Sequence, residues 1–270
     1  MDDSNGRPNV IFSFVLRVEM MDSTAILKTV EHRPWPLPDK PWVMTQIWHE
    51  LLFAHWPIAP GLLRDLVPSI LPLDMFEGQC WVGIVPFRMT YVRPRWVPPV
   101  TALSSFVELN VRTYVTLHGI PGVYFFSLDA SNPIAVAIAR AFFHLPYFNA
   151  VMSSERLGDS IHYYSRRTHQ GAPHAEFKAI FRPIAPIAFA QHDSLEQWLT
   201  ERYCLYTVVP GKGVYRGDIH HVPWPLQLAE LDMKKDTMAI SHDIHLPELP
   251  PLLHYSHRQE VLIWPLKRVL

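Results

Sequence analysis

Cysteine, glycine and surplus positive charge are all scarce in this sequence of 270 residues. Its two cysteines, Cys80 and Cys204, form no CxxC pair and no metal-ligand spacing, which predicts two reduced packing residues in a cytosolic protein. The formal net charge is -1, so there is no basic surplus to neutralise the phosphates of a nucleic acid or an anionic membrane. We therefore expect neither nucleic acid nor a membrane as a partner.

Long apolar runs and the common catalytic motifs are also missing. No run reaches the roughly 18 apolar residues that span a bilayer, and the acidic start "MDDSNG" differs from the basic first segment of a signal peptide. The sequence contains no GxSxG, no glycine-rich phosphate loop and no GxGxxG after a strand, which disfavours hydrolase, nucleotide and dinucleotide chemistry. We expect a cytoplasmic protein that uses no cofactor.

Proline is abundant where glycine is rare, with 26 prolines against 11 glycines. The prolines separate short alternating segments, a pattern that favours many strands and rigid loops and predicts a mainly β fold of the α+β class. "GQCWVGIVPFRMTYV", "SSFVELNVRTYVTL" and "VYFFSLDA" predict an antiparallel meander, and "PGKG" predicts a hairpin turn. No Gly/Ser linker divides the chain, so we predict one domain over residues 36–270. Residues 1–35 are predicted to be an extension, either disordered or the product of an overextended start, because Met20 and Met21 offer later starts.

Two segments have clear helix signals. "SNPIAVAIARAFFHL" begins with Ser131 or Asn132 as a cap, followed by Pro133 in the first turn. "SLEQWLTERY" carries capping-box spacing between Ser194 and Gln197. A third, short helix is predicted in "APGLLRDLVPSI", around Leu62 to Leu66, and Pro68 ends it.

The strand "FVELNVRTYV" has one polar face. Phe106, Glu108, Asn110, Arg112 and Tyr114 alternate with apolar residues and therefore share one side of the strand. In an open sheet this face would meet solvent. In a barrel it could line the interior, where Arg112 could hold a substrate carboxylate and Glu108 could move a proton. The alternation alone leaves both interpretations open.

Histidine is unusually common, with fifteen copies. A metal-dependent enzyme that uses His220 or His221 is one hypothesis, but these neighbours would point to opposite faces of a strand. No HExxH or other tight ligand motif occurs. We therefore expect no bound metal and interpret most of the histidines as hydrogen-bonding or loop residues.

Several segments together resemble a known family. They are "LLFAHWPIAPGLLRDLVPSILPLD", "FVELNVRTYV", "GVYFFSLDA", "ARAFFHLPY", "TERYCLY" and "IHHVPWPL", in that order. From about Trp42 to Trp264 the chain resembles the YqjF-like family, a domain of unknown function numbered 2071 that is grouped with the acetoacetate decarboxylase-like superfamily. This resemblance implies an antiparallel β-cone or barrel around a small-molecule pocket, with a few peripheral helices.

The resemblance also raises the question of a missing lysine. In the decarboxylases a Pro-Lys-Lys motif follows a helix, and its first lysine forms a Schiff base with the substrate. Here "LPYF" occupies that place, with Tyr147 after the proline, and no lysine occurs between Lys40 and Lys178. Lys178 lies in the alternating segment "AEFKAIFRP" and is the one remaining lysine with a route to a barrel interior. We predict that chemistry in this chain does not use a Schiff base.

The resemblance places the other pocket residues by order and context. Glu108 corresponds to a pocket glutamate, which favours the inward orientation of its face, and His49 lies near the position of a pocket arginine. We predict Glu108 as general acid or base and Tyr147 as hydrogen-bond donor to an oxyanion, with Asn110, Arg112 and His49 binding the substrate.

The predicted function follows from this set of residues. The protein would carry out lyase-, hydratase- or isomerase-like chemistry on a small carbonyl or carboxylate compound. The alternative is a non-catalytic barrel that binds or senses a small molecule. Because superfamily members commonly assemble, a homo-oligomer is a further expectation.

Overall fold

A computed structural model describes residues 21–98 and 104–270. It confirms a mainly β protein with few helices. The twelve strands of these residues are β1 (Met44–Ile58), β2 (Cys80–Pro94), β3 (Phe106–Leu117), β4 (Ile120–Ala130), β5 (Tyr147–Leu157), β6 (Ser160–Arg167), β7 (Glu176–Pro183), β8 (Cys204–Val209), β9 (Gly213–His220), β10 (Gln227–Asp236), β11 (Leu252–Ile263) and β12 (Lys267–Arg268). The predicted meander is β2-β3-β4, and the predicted hairpin is β8-β9.

Five adjacent strands, in the order β4-β3-β2-β1-β11, form the common wall of two closed rings. Each edge strand of this wall, β4 and β11, pairs with two different strands along its outer edge. β4 pairs in parallel with β8 at Val123 and Tyr124 and with β5 at Leu128 to Ala130. β11 pairs with β10 near Tyr255 and with β9 near Ile263.

One ring is a barrel of nine strands, closed through β10, β7, β6 and β5. The other ring has seven strands and is closed by β8 and β9. The expected antiparallel pairing holds except at the two contacts of β4, which are parallel because β5 and β8 each follow a helical connection back to the sheet.

The shared strands are buried on both faces. On one face Ala54, Ile84 and Val111 join Tyr163 and Phe177 of the nine-strand barrel in a large apolar cluster. On the other face Leu51, Phe53, Val85 and Phe87 form a second cluster, which packs against Trp224. A polar residue on this second face is therefore enclosed, not solvated.

Four α-helices lie among the described residues: α1 (Ser23–Lys28), α2 (Pro60–Arg64), α3 (Pro133–Phe142) and α4 (Leu195–Thr200). Asn132 caps α3 by accepting hydrogen bonds from the next turn, and Ser194 caps α4 by accepting from the Gln197 amide. Of the two predicted caps for α3, the structure selects Asn132. No helix of the described residues has both the length and the apolar character needed to cross a bilayer.

The segment before residue 36 packs on the seven-strand ring. Ile26 of α1 is buried with Trp42 and Trp264, and the Arg33 guanidinium donates to the Ile219 carbonyl at 2.9 Å. Residues 21–35 thus contact the domain that we predicted to begin at residue 36. Residues 1–20, which contain most of the predicted extension, lie outside the described residues.

Candidate functional site

A cavity of about 380 Å³ lies within the seven-strand ring. Every strand of that ring contributes to its wall, together with α3 and the first residue of β5. The wall is mostly aliphatic and aromatic, with Trp48 stacked on Trp224 at 5.9 Å. Its polar side chains include Glu108, Asn110, Arg112, Tyr147, Arg202 and His221.

The strand face that the sequence singled out lines this cavity. Phe106, Glu108, Asn110 and Arg112 of β3 all contribute to the wall. Tyr114 lies beyond the cavity, fully buried. The face is enclosed because β8 and β9 close the ring opposite it, so the alternative of a solvent-exposed face is wrong.

Glu108 and Tyr147 meet at the cavity surface. The Tyr147 hydroxyl donates to the Glu108 carboxyl group at 2.9 Å, although the two residues come from β3 and from the start of β5. On the barrel side the Tyr163 hydroxyl donates to the Glu108 backbone carbonyl at 2.6 Å and holds the strand in place. Only 3 % of Glu108 is exposed to solvent.

Burial dominates the acidity of Glu108. Loss of hydration raises the pKa of its carboxyl group from 4.5 to about 8, although the Tyr147 hydrogen bond works in the opposite direction and Asp129 adds a smaller increase. The same burial, together with the nearby Glu108, raises the pKa of the Tyr147 hydroxyl well above 10. At neutral pH the pair is therefore mostly uncharged, and Glu108 carries a proton that it can donate.

Asn110 and Arg112 present unpaired polar atoms. Among the described residues, neither Asn110 Oδ1 nor Arg112 Nε has a hydrogen-bond partner, although both atoms are buried. Buried polar atoms without partners are rare in folded proteins and leave hydrogen-bonding capacity for a bound molecule or water. Both side chains line the cavity.

A fixed group of side chains positions Arg112. Its Nη2 lies 3.4 Å from the Tyr114 hydroxyl, and its guanidinium lies 5.2 Å from the centre of the Phe53 ring. The Tyr114 hydroxyl donates to the Leu199 carbonyl at 2.8 Å and lies 2.7 Å from His55 Nε2. Burial and the nearby Arg112 charge lower the pKa of His55 well below 6.5, so this histidine is neutral.

Arg202 and His221 are two wall residues that the sequence did not assign to a substrate pocket. Arg202 follows α4 and is anchored by Asp74, at 2.6 Å, and by the Trp198 carbonyl. Its other terminal nitrogen, Nη2, is buried and has no partner among the described residues. His221 stacks on Tyr203, and burial lowers its pKa to about 4. Neither residue belongs to an alternating pattern, so only the folded contacts could reveal them.

His49 lies on the other face of β1, which corrects its predicted role in substrate binding. The cavity-facing residues of β1 are Met44, Gln46 and Trp48, followed by Leu51 and Phe53. The alternation changes phase at residue 50, which has a positive φ of 52°. His49 alternates with the inward Trp48 and therefore lies on the opposite face, where its Nε2 lies 2.7 Å from the Thr90 hydroxyl of β2.

No lysine of the described residues contributes to the cavity wall. Lys178, the candidate considered for a relocated Schiff base, is an exposed residue of β7, on the nine-strand barrel and away from the cavity. Tyr147 follows α3 at the start of β5, and its hydroxyl is bonded to Glu108.

The two adjacent histidines do not form a metal site. His220 Nε2 bonds the Ile26 carbonyl and His221 Nδ1 bonds the Val222 carbonyl, each at 2.8 to 2.9 Å. Across the described ranges, no three His, Cys, Asp or Glu side chains are gathered as metal ligands. The hypothesis of a metal enzyme built on these histidines thus has no ligand set in this part of the chain.

Comparisons with known proteins agree with this architecture. Residues 45–260 match the model of the family DUF2071, described as an uncharacterized conserved protein. The uncharacterized protein YqjF of Bacillus subtilis (strain 168) is 51 % identical over 232 residues, which cover 86 % of this chain and 95 % of that protein.

Solved structures with a similar fold have low sequence identity. The enduracididine biosynthesis enzyme MppR, complexed with the condensation product of pyruvate and imidazole 4-carboxaldehyde, gives a TM-score of 0.57 at 10 % identity and covers 84 % of this chain and 90 % of its own. Acetoacetate decarboxylase from Legionella pneumophila subsp. pneumophila str. Philadelphia 1 gives a TM-score of 0.56 at 14 % identity, with 94 % and 98 % coverage. The chain thus belongs to the DUF2071 family and has an acetoacetate decarboxylase-like fold.

Proposed function

We propose that the cavity binds a small carbonyl or carboxylate compound and that Glu108 transfers a proton to or from it. The observation that carries this proposal is the hydrogen-bonded pair of Glu108 and Tyr147, buried in the cavity wall. The chemistry would be lyase-, hydratase- or isomerase-like and would proceed without a Schiff base. The fold similarity to MppR and to acetoacetate decarboxylase supports a small organic substrate.

The acidity of Glu108 suits this role. A general acid or base works best when its pKa lies near the operating pH. With a pKa of about 8, Glu108 is mostly protonated at neutral pH, yet a useful fraction is ionised. As the carboxylate it could remove a proton next to a carbonyl group, and as the acid it could return one.

Tyr147 and Arg112 would stabilise the charge that develops. When Glu108 accepts a proton from the substrate, the Tyr147 hydroxyl can redirect its hydrogen to the enolate oxygen. The free Arg112 Nε and the Asn110 amide oxygen provide a donor and an acceptor for the rest of the ligand. Each of these groups already lies in one wall of the cavity, so binding requires no rearrangement of the strands.

Exchange of substrate protons provides the test. Protein in D₂O is incubated with a panel of small keto acids, hydroxy acids and aldehydes, and loss of the proton next to the carbonyl is followed by NMR. We expect exchange of at least one compound above the buffer rate, and a loss of about 100-fold or more in Glu108→Gln. Glu230→Gln, which changes an exposed glutamate of β10, serves as the matched control.

The outcomes separate two functions. Binding of a compound that shows no exchange and is recovered unchanged would contradict the catalytic role and favour the non-catalytic binding barrel. Exchange that persists in Glu108→Gln would show that another group moves the proton. Absence of both binding and exchange across the panel would contradict the proposed ligand class.

A further inference from the structure

The size and lining of the cavity restrict the ligand further, provided that the proposed function holds. The cavity has a volume of about 380 Å³, and one molecule of liquid water occupies about 30 Å³, so about a dozen groups of that size would fill it. A keto acid of the size of pyruvate would fill about half of this space. Volumes of roughly 300 Å³ and above are typical of pockets for larger organic ligands.

Four polar residues of the cavity lie on neighbouring strands. Glu108, Asn110 and Arg112 are successive inward residues of β3, and Tyr147 bonds the first of them. Arg202 and His221 also line the cavity, but most of its other wall residues are aliphatic or aromatic. Apolar walls tend to remain dry and to bind apolar molecules, so this part of the cavity favours a hydrocarbon group over water.

The apolar wall continues to the protein surface along α3. Ile134 and Ile138 lie one helical turn apart and line the cavity, yet they are 53 % and 48 % exposed. Val97, three residues after β2, also lines the cavity and is 43 % exposed. These three side chains, which we call the apolar portal, belong to both the cavity and the surface. They place apolar side chains where the cavity meets solvent.

We propose that the ligand is amphipathic, with a carboxylate or carbonyl head at Glu108, Tyr147 and Arg112 and an aliphatic or aromatic tail that extends to the apolar portal. The aliphatic and aromatic residues of the cavity wall would contact this tail. The enclosed end of the cavity, with its polar residues, selects the head group of the ligand. The end that opens to solvent accepts tails of different length.

A series of straight-chain 2-oxo acids, from pyruvate to 2-oxodecanoate, tests this inference by isothermal titration calorimetry. Burial of each methylene contributes about 0.8 kcal/mol, so the affinity should rise roughly fourfold per added carbon until the tail reaches solvent. Methyl ketones and alcohols of the same chain length separate the contribution of the head from that of the tail.

Variants test which residues bind the head and which bind the tail of the ligand. Ile138→Ser and Ile134→Ser should reduce the gain in affinity per carbon for long acids and leave the affinity for short acids unchanged. Phe142→Ser is the matched control, because Phe142 lies on the same helix, is 72 % exposed and does not line the cavity. Arg112→Ala should weaken all acids by a similar factor and leave the alcohols unaffected.

The results distinguish failure of this inference from failure of the proposed function. If short and long acids bind equally well and the Arg112→Ala variant loses both, the proposed head site stands and the tail inference is wrong. If affinity follows chain length but ignores Arg112 and the nature of the head, the cavity binds hydrocarbons and the proposed head site is wrong. If no member of the series binds, both proposals are contradicted.

Discussion

The unusual pKa of Glu108 predicts a specific pH dependence of stability. In the unfolded chain the carboxyl group ionises near 4.5, whereas burial in the fold raises its pKa to about 8. Between these values the unfolded state releases the proton and the folded state retains it. The contribution of Glu108 to stability is therefore largest below pH 4.5 and falls as the pH rises towards 8. Glu108→Gln removes this ionisation while keeping an oxygen that can accept from Tyr147.

The size of the effect follows from the two pKa values. With a pKa of 4.5 in the unfolded chain and of about 8 in the fold, the wild type loses about 2.5 kcal/mol of folding free energy relative to Glu108→Gln between pH 5 and pH 7. A folded-state pKa of about 7 would still give about 2 kcal/mol, so the expected loss depends little on the exact value. For a domain of this size, 2 kcal/mol corresponds to roughly 4 to 8 °C in Tm.

Thermal and urea unfolding of both proteins at pH 5, 6 and 7 provide the assay. The Tm of the wild type should fall relative to that of Glu108→Gln as the pH rises. Glu176→Gln is a suitable control, because Lys235 lowers the pKa of Glu176. The stability that ionised Glu176 contributes is lost only below pH 4.5, so it stays constant between pH 5 and pH 7. Parallel Tm curves for wild type and Glu108→Gln would refute the reasoning and would mean that Glu108 is hydrated in the folded protein.

Three further substitutions test individual contacts. Tyr147→Phe removes the hydroxyl that lowers the pKa of Glu108, so that pKa should rise and the loss of stability should continue to higher pH, as measured by the same unfolding series. Arg167→Ala leaves the completely buried Asp129 carboxylate without its cation and should lower the free energy of unfolding in urea at pH 7 by about 3 to 5 kcal/mol. A loss below about 1 kcal/mol would contradict the buried ion pair. Gly83→Ala places a methyl group 2.9 Å from the His55 ring and should destabilise the protein by about 1 to 3 kcal/mol. The control Gly61→Ala meets open space on α2 and should be neutral or stabilising. Equal Tm values for the two variants would count against the packing around Gly83.

The secondary structure was largely predictable, because local signals determine it. Alternation identified β2, β3 and β4, "PGKG" identified the turn between β8 and β9, and the caps Asn132 and Ser194 identified the starts of α3 and α4. The parallel contacts of β4 were not predictable from the same signals, since they join residues that lie 19 or more positions apart.

The site was predictable in part. Glu108, Asn110, Arg112 and Tyr147 all line the cavity, as their pattern and the family resemblance suggested. His49 does not, because it alternates with Trp48, which faces the cavity; its expected role rested on an approximate family correspondence and not on a strand pattern. Arg202 and His221 lie in segments that carried the family resemblance, but no pattern assigned them to the cavity, because their contacts come from other segments.

The sequence by itself determined which side chains of β3 share a face, because successive residues of a strand point to opposite sides. It could not determine what that face would meet. The tertiary structure decided this by pairing β4 with β8 and β11 with β9, which closes a second ring over the polar face and removes it from water. The pKa of Glu108 depends on that removal, so the chemical character of the residue is a property of the closed ring and not of its local sequence.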